Sequence, residues 1–281
     1  MNDDVVLERV KLPDGKEMVL TRWDQHVAIS VDGRPLMSTH EHGSEDELGR
    51  VVAQRLAGVR APAMLIGGLG LGYTLRAALD ALPADAKVVV AELVPAVVKW
   101  NRAEHGAHSG HPLRDRRVEL VVEDVGVVIG KRRRYHAILL DVDNGPDALA
   151  HDANAKLYTR AGLVRTKASL RAGGVLAVWS AFPSKTFTRW LSEVGFTVEQ
   201  RRATPTTPGG PRYYIWLATT PRPARGSARQ TSSASASRPK ATSAGGRRRS
   251  SRARGPTRRR RRGDRTGTGG RPAVRPTCTA R

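Results

Sequence analysis

Ala63-Met-Leu-Ile-Gly-Gly-Leu-Gly-Leu-Gly-Tyr-Thr-Leu-Arg76 is an apolar run that breaks into Gly67, Gly68, Gly70 and Gly72 and then resumes with helical spacing. The order predicts strand, glycine turn, helix. Glycine reaches positive φ and has no side chain, so the backbone can turn sharply here. A ligand can then come close above the N-terminus of the following helix. Twenty residues after Gly72, a second apolar run, Lys87 to Ala91, ends in Glu92. At that spacing a carboxylate meets the two hydroxyls of a bound ribose. Turn and acid together point to a nucleoside-type cofactor held by Gly67, Gly68, Gly70, Gly72 and Glu92.

Gly68-Leu-Gly-Leu-Gly72 departs from the dinucleotide fingerprint G-x-G-x-x-G: its third glycine comes one residue early, and nothing obliges a pyrophosphate to bind. A G-x-G-x-G turn is more typical of S-adenosylmethionine folds. A plain tight turn would use glycines in the same way, and Glu92 at its spacing is what favours a site.

The final stretch differs in kind from the rest of the 281 residues. From Arg222 to Arg281 there are 19 Lys and Arg against the single acid Asp264, so this segment carries 18 of the chain's formal +22. It has no aromatic residue, almost no large aliphatic one, and runs such as Arg258 to Arg262. Such a segment cannot bury enough apolar surface to offset its ordering entropy, and disorder is expected over residues 221–281. An arginine-rich tail invites nonspecific polyanion or nucleic-acid contact, since each phosphate contact releases counterions. Without aromatic side chains it lacks a stacking platform for single strands. The alternative is a solvated extension irrelevant to catalysis, in which case deletion after Pro221 leaves cofactor binding intact.

The one cysteine, Cys278, excludes an internal disulfide framework and a cysteine metal site in the fold. Met1-Asn-Asp-Asp4 puts acids where a signal peptide needs basic residues, and no apolar run approaches the roughly 18 residues of a membrane span. A cytoplasmic location and no membrane contact are expected.

Periodicity divides residues 1–220 in two. Val5 to Val10, Glu17 to Trp23 and Val27 to Val31, separated by Pro13-Asp-Gly15 and Asp32-Gly33, predict short hairpin strands, a small antiparallel element over residues 1–43. Ser44 as N-cap, Glu47 three residues later, and Leu48, Val51, Val52 and Leu56 predict a helix over 45–57. From there, strand and helix patterns alternate. Strands are predicted at 63–66, 87–91, 118–122, 137–140 and 175–179, and helices at 73–82, 95–104, 157–170 and 185–194. Two closing strands fall near 197–202 and 212–218. Residues 44–220 thus read as an α/β, Rossmann-like doubly wound mixed sheet with its ligand at the carboxyl ends of the strands.

Three acids follow predicted strands. Asp124 is placed either to accept from an exocyclic amine such as that of adenine or to favour a helix N-terminus through the macrodipole. Asp141 and Asp143 emerge after Tyr135-His-Ala-Ile-Leu-Leu140. A carboxylate there can take a proton from an amine nucleophile or hold a cationic substrate; the alternative is a solvated loop turning at Asn144-Gly145.

The Gly-rich turn, Glu92, Asp124 and Asp141 in a D-x-D-N-G-P stretch resemble the spermidine synthase (polyamine aminopropyltransferase) family over roughly residues 25–218. Members combine a small N-terminal β element with a Rossmann-like domain of the class I methyltransferase fold. They move an aminopropyl group from decarboxylated S-adenosylmethionine to an amine. The resemblance implies that Glu92 binds ribose, Asp124 binds adenine, Gly68 and Gly70 form the cofactor turn, and Asp141 is the catalytic base. It implies Asp143 and Glu47 as substrate-binding residues, no metal, a place in polyamine biosynthesis, and a homodimer, the state common in the family.

The departures from the family pattern matter as much. Leu36-Met37 stands where the family has Gln, and Tyr-His-Glu becomes Glu45-Asp46-Glu47, keeping only its last residue. The aspartate of G-G-G-D-G-G is lost within Leu69-Gly70-Leu71, and the second Asp of D-x-x-D is Asn144. A polyamine is held mainly by carboxylates and aromatic faces, the latter contributing about 0.5 to 2 kcal/mol each, so weaker or different amine binding is expected. Loss of the turn aspartate also admits ordinary S-adenosylmethionine. An aminopropyltransferase, a methyltransferase of the same fold and a non-catalytic cofactor-binding protein are the three alternatives. His40 and His42 lack a third ligand and do not make a zinc signature. Trp179 and Trp190 read as core, and Lys131 to Arg134 as a solvated turn.

Overall fold

The computed structural model describes residues 4–131, 134–142, 145–146, 154–203 and 210–222, all within one compact unit, Met1–Gly226. Residues 223–281, where disorder was expected, lie outside the described residues, as do Asp143 and Asn144.

Strands β1 (Val5–Lys11), β2 (Glu17–Trp23), β3 (His26–Val31) and β4 (Arg34–Ser38) form an antiparallel meander in sequence order. Asp32 and Gly33, at φ 47° and 72°, make the tight β3–β4 turn. β4 is a strand beyond those expected from the sequence; it contains Pro35, which its edge position tolerates.

Helix α1 (Gly43–Arg55) starts earlier than expected. Ser44 is no N-cap: that place belongs to His42, and Ser44 lies buried in the first turn, donating to Glu45 Oε2 at 2.5 Å. α1 packs on α2 (Tyr73–Ala81) through Gly49, whose Cβ, if present, would stand 2.3 Å from the Thr74 carbonyl oxygen.

The second sheet has seven strands: β5 (Ala63–Gly67), β6 (Lys87–Glu92), β7 (Val118–Val122), β8 (Tyr135–Leu140), β9 (Leu170–Ser180), β10 (Thr197–Ala203) and β11 (Tyr213–Thr219). Their order is β10-β11-β9-β8-β5-β6-β7. β7 to β9 are parallel; β11 lies antiparallel between β9 and β10. Helices α3 (Pro95–Arg102), α4 (Val125–Gly130), α5 (Ala155–Tyr158), α6 (Arg160–Ser169) and α7 (Lys185–Glu193) supply the connections. The helix expected over 157–170 is thus split at Thr159, whose hydroxyl accepts from Gly162 N at 3.1 Å and caps α6. Gly173 and Gly174 fall inside β9 instead of before it, where the pairing with β8 shifts register.

Both faces of the central strands are apolar, as buried parallel strands require. Met64 and Ile66 join the core that reaches the N-terminal sheet through Leu20 and Ile29, while Leu65 belongs to the opposite core with Ile138 and Leu140. The chain runs outward from β5 to β6 and β7, then returns to β8 on the other side of β5. That reversal opens a crevice at the carboxyl ends of β5 and β8.

Candidate active site

Strand ends meet in one layer at this crevice. Gly68 N donates to Ala91 O, Asp141 N to Gly67 O and Glu123 N to Glu92 O, each at 2.9 Å. Gly68, at φ 88°, passes beneath Asp141 so closely that a Cβ would stand 2.1 Å from the Asp141 carbonyl oxygen. Only glycine fits there.

Protein atoms fill the space beside all four glycines, which divide by whether they line the cleft. Gly68 and Gly70 line the cleft over the turn. Gly67 and Gly72 do not: Gly67 makes room for the Val125 side chain and Gly72 for Ser109 Oγ. Above Gly70 lies Met37 of β4, whose Sδ accepts from Leu71 N at 3.2 Å.

Glu92, at the end of β6, is buried and lines the cleft. Its Oε2 accepts from Leu69 N and its Oε1 from Val94 N, both at 2.8 Å. Burial raises its carboxyl despite these bonds. Asp124 follows β7 and lines the same cleft; its Oδ1 accepts from Gly126 N at 2.6 Å and caps α4. The capping reading and a place in the cleft therefore coexist in one side chain.

Asp141, just past β8, also faces the cleft, and its Oδ2 accepts from Thr74 Oγ1 at 2.6 Å. The protein packed around it pushes its carboxyl up to about 6, against the lowering effect of Thr74. The same Thr74 hydroxyl lies 3.3 Å from the Glu45 carbonyl oxygen. Glu45 lines the cleft, and its carboxyl is pushed up to about 7, first by burial and then by the charge of Asp141. The two carboxyls titrate as a pair.

Glu45, not Glu47, is thus the α1 acid in the cleft wall; Glu47 is only partly buried and is not among the lining residues. A local signal for this exists in the sequence. Glu45 stands three, four and seven residues before Leu48, Gly49 and Val52, so it shares their inward helix face. Asp143 lies outside the described residues.

The opposing wall comes from the N-terminal sheet and its turns: Leu12, Met18, Ile29, Val31, Leu36 and Met37. Trp179 of β9, 6 % exposed, belongs to the core and also lines the cleft; its Nε1 has no hydrogen-bond partner among the described residues. Among the described residues, none that lines the cleft is basic.

His42 turns away from this cleft: its ring stacks on Tyr73 with centroids 3.8 Å apart, and its Nδ1 meets Asp46 Oδ2 at 2.8 Å. That bond is the main cause of its raised pKa. His40 meets His26 edge-on. Among the described residues, no group of three or more His, Cys, Asp or Glu is placed to hold a metal ion, and no helix is long and apolar enough to cross a membrane.

The fold and its cleft define a Rossmann-like protein with an N-terminal β meander over the ligand end of the sheet. Solved structures similar to this chain include spermidine synthases. The enzyme from Thermotoga maritima superposes with a TM-score of 0.62 at 19% identity, over 76% of this chain and 72% of that one. A spermidine synthase in complex with the transition-state analogue AdoDATO gives 0.61 at 19% identity over the same shares. A probable spermidine synthase from Corynebacterium glutamicum ATCC 13032 gives 0.55 at 18% identity, over 78% and 81%. No protein-family model matches the chain, and no curated protein matches it significantly. The chain therefore has the spermidine synthase fold, at identities that speak for fold alone.

Proposed function

We propose that the chain is a spermidine synthase-like transferase that moves an aminopropyl group from decarboxylated S-adenosylmethionine to an amine acceptor. One observation carries the proposal: four carboxyls, Glu45, Glu92, Asp124 and Asp141, line one cleft to which, among the described residues, no basic side chain contributes. Such a cleft favours positively charged partners, as a sulfonium donor and an amine acceptor are.

The residues suit an adenosylated donor. Glu92, fixed by two backbone N–H groups, is a buried acid whose charge no cation balances, and ribose hydroxyls would donate to it. Asp124 stands on the adjacent strand end, where it would meet adenine, and Gly68 and Gly70 form the turn beside them in the cleft wall. When bound, the donor supplies a carbon whose bond to sulfur breaks toward sulfur as the amine nitrogen bonds to it. Asp141 takes the proton that the nitrogen sheds. An acid held near 6 is mostly carboxylate at neutral pH yet more basic than an ordinary aspartate, which suits a general base. Thr74 orients the carboxylate by donating to Oδ2.

A second reading, methyl transfer from S-adenosylmethionine, is favoured by the turn: Leu69-Gly70-Leu71 carries no carboxylate where the family's motif has the aspartate that would hold the charged end of a decarboxylated donor. Calorimetric titration with S-adenosylmethionine, its decarboxylated form and methylthioadenosine separates the readings. A preference for the decarboxylated donor and a product heavier by an aminopropyl group support the first. A product heavier by a methyl group assigns the second, and no binding of any of the three refutes both.

A further inference from the structure

Resting on the transferase proposal above, we infer that the acceptor carries a single cationic nitrogen on an apolar body, in place of a chain of several amines. The charged groups of the cleft are divided between two tasks. Glu92 is engaged by Leu69 N and Val94 N, and Asp124 by Gly126 N, both on the β6–β7 side where the nucleoside would lie. Glu45 and Asp141 remain on the β8 side for the acceptor nitrogen, the Asp141 carboxylate accepting from Thr74 and the Glu45 carboxyl from Ser44. They are a pair that burial keeps from ionising fully, so one compensating positive charge satisfies it.

Beyond the pair, the wall changes character. Leu12, Met18, Ile29, Val31, Leu36 and Met37 carry no ionisable group, and the first four are buried. A second ammonium laid against them would lose its hydration and find no acceptor. An alkyl or aryl body would bury apolar surface against the same side chains, with about a fourfold gain in affinity per methylene. An elongated polycation needs acids spaced along its length, and this wall has none.

The test uses the full chain saturated with methylthioadenosine, titrated calorimetrically with n-hexylamine and with 1,6-diaminohexane. The two ligands match in length and differ in the second ammonium. The monoamine should bind at least about tenfold more tightly, and affinity should rise from butylamine to hexylamine. In Leu36→Asp that still binds methylthioadenosine, the order should reverse. Equal or tighter binding of the diamine by the unaltered chain, binding of neither amine, or an unchanged order in the variant overturns the inference while the donor site stands. Failure to bind methylthioadenosine removes the transferase proposal itself, and this one with it.

Discussion

The wall of the cleft made by the parallel sheet and the wall made by the N-terminal meander are built by different rules. On the first, each polar group is delivered by topology: a strand ends, the chain turns, and Glu92, Asp124 or Asp141 stands at the same level as its neighbours. On the second, the pleat decides only that Met18, Ile29 and Val31 point inward; which side chains do so is a matter of residue choice. Changes on the first side break the backbone frame, whereas changes on the second retune selectivity and leave the frame intact.

The sharpest way to break this contrast is Gly68→Ala. A Cβ there meets a backbone oxygen at 2.1 Å with φ at 88°, and neither can be relieved by a side-chain rotation. A loss of about 3 kcal/mol or more in urea unfolding and loss of methylthioadenosine binding are expected. A well-folded variant with normal binding would show that the layer is less rigid than described. Glu92→Gln should follow, with methylthioadenosine binding weakened more than about tenfold, since hydrogen bonds to a charged acceptor contribute about 1.5 to 3 kcal/mol.

Glu45→Gln sharpens the comparison through pH. The folded carboxyl of Glu45 is raised above its unfolded value, so the stability tied to its protonated form is full below about pH 4.5 and lost as pH rises through about 7. His42 pulls Glu45 slightly downward and Asp141 pushes it upward. The variant should therefore match the parent near pH 4 and exceed its stability by about 2 kcal/mol at pH 8. Urea unfolding at the two pH values measures this, and a variant less stable at pH 8 would contradict the repulsive pairing.

The smallest effect is expected from Met37→Leu on the apolar wall. It keeps the volume and removes the sulfur that accepts from Leu71 N, at a cost under about 1 kcal/mol by thermal unfolding.

What could be read from the sequence follows the same division. Gly68, Glu92 and Asp141 were visible because a strand followed by a turn is a local pattern, and the structure brings all three to one cleft. Gly67 and Gly72 carry the same local signal as Gly68, since a glycine spares space alike for the Val125 side chain, for Ser109 or for the Asp141 backbone. Motif order points to Glu47 and helix phase to Glu45, whose inward position rests on Leu48, Val52 and the contact at Gly49. The composition of the apolar wall needed the tertiary fold, because no local pattern says which sheet will cover the strand ends.

Gly49 has a consequence for timing. With α1 resting directly on the α2 backbone, the helix bearing Glu45 and the helix bearing Thr74 cannot slide past one another without a collision. Asp141, through its bond to Thr74, and its acidic neighbour Glu45 are thus set in place by the fold itself, and the electrostatic work of bringing two acids together belongs to folding.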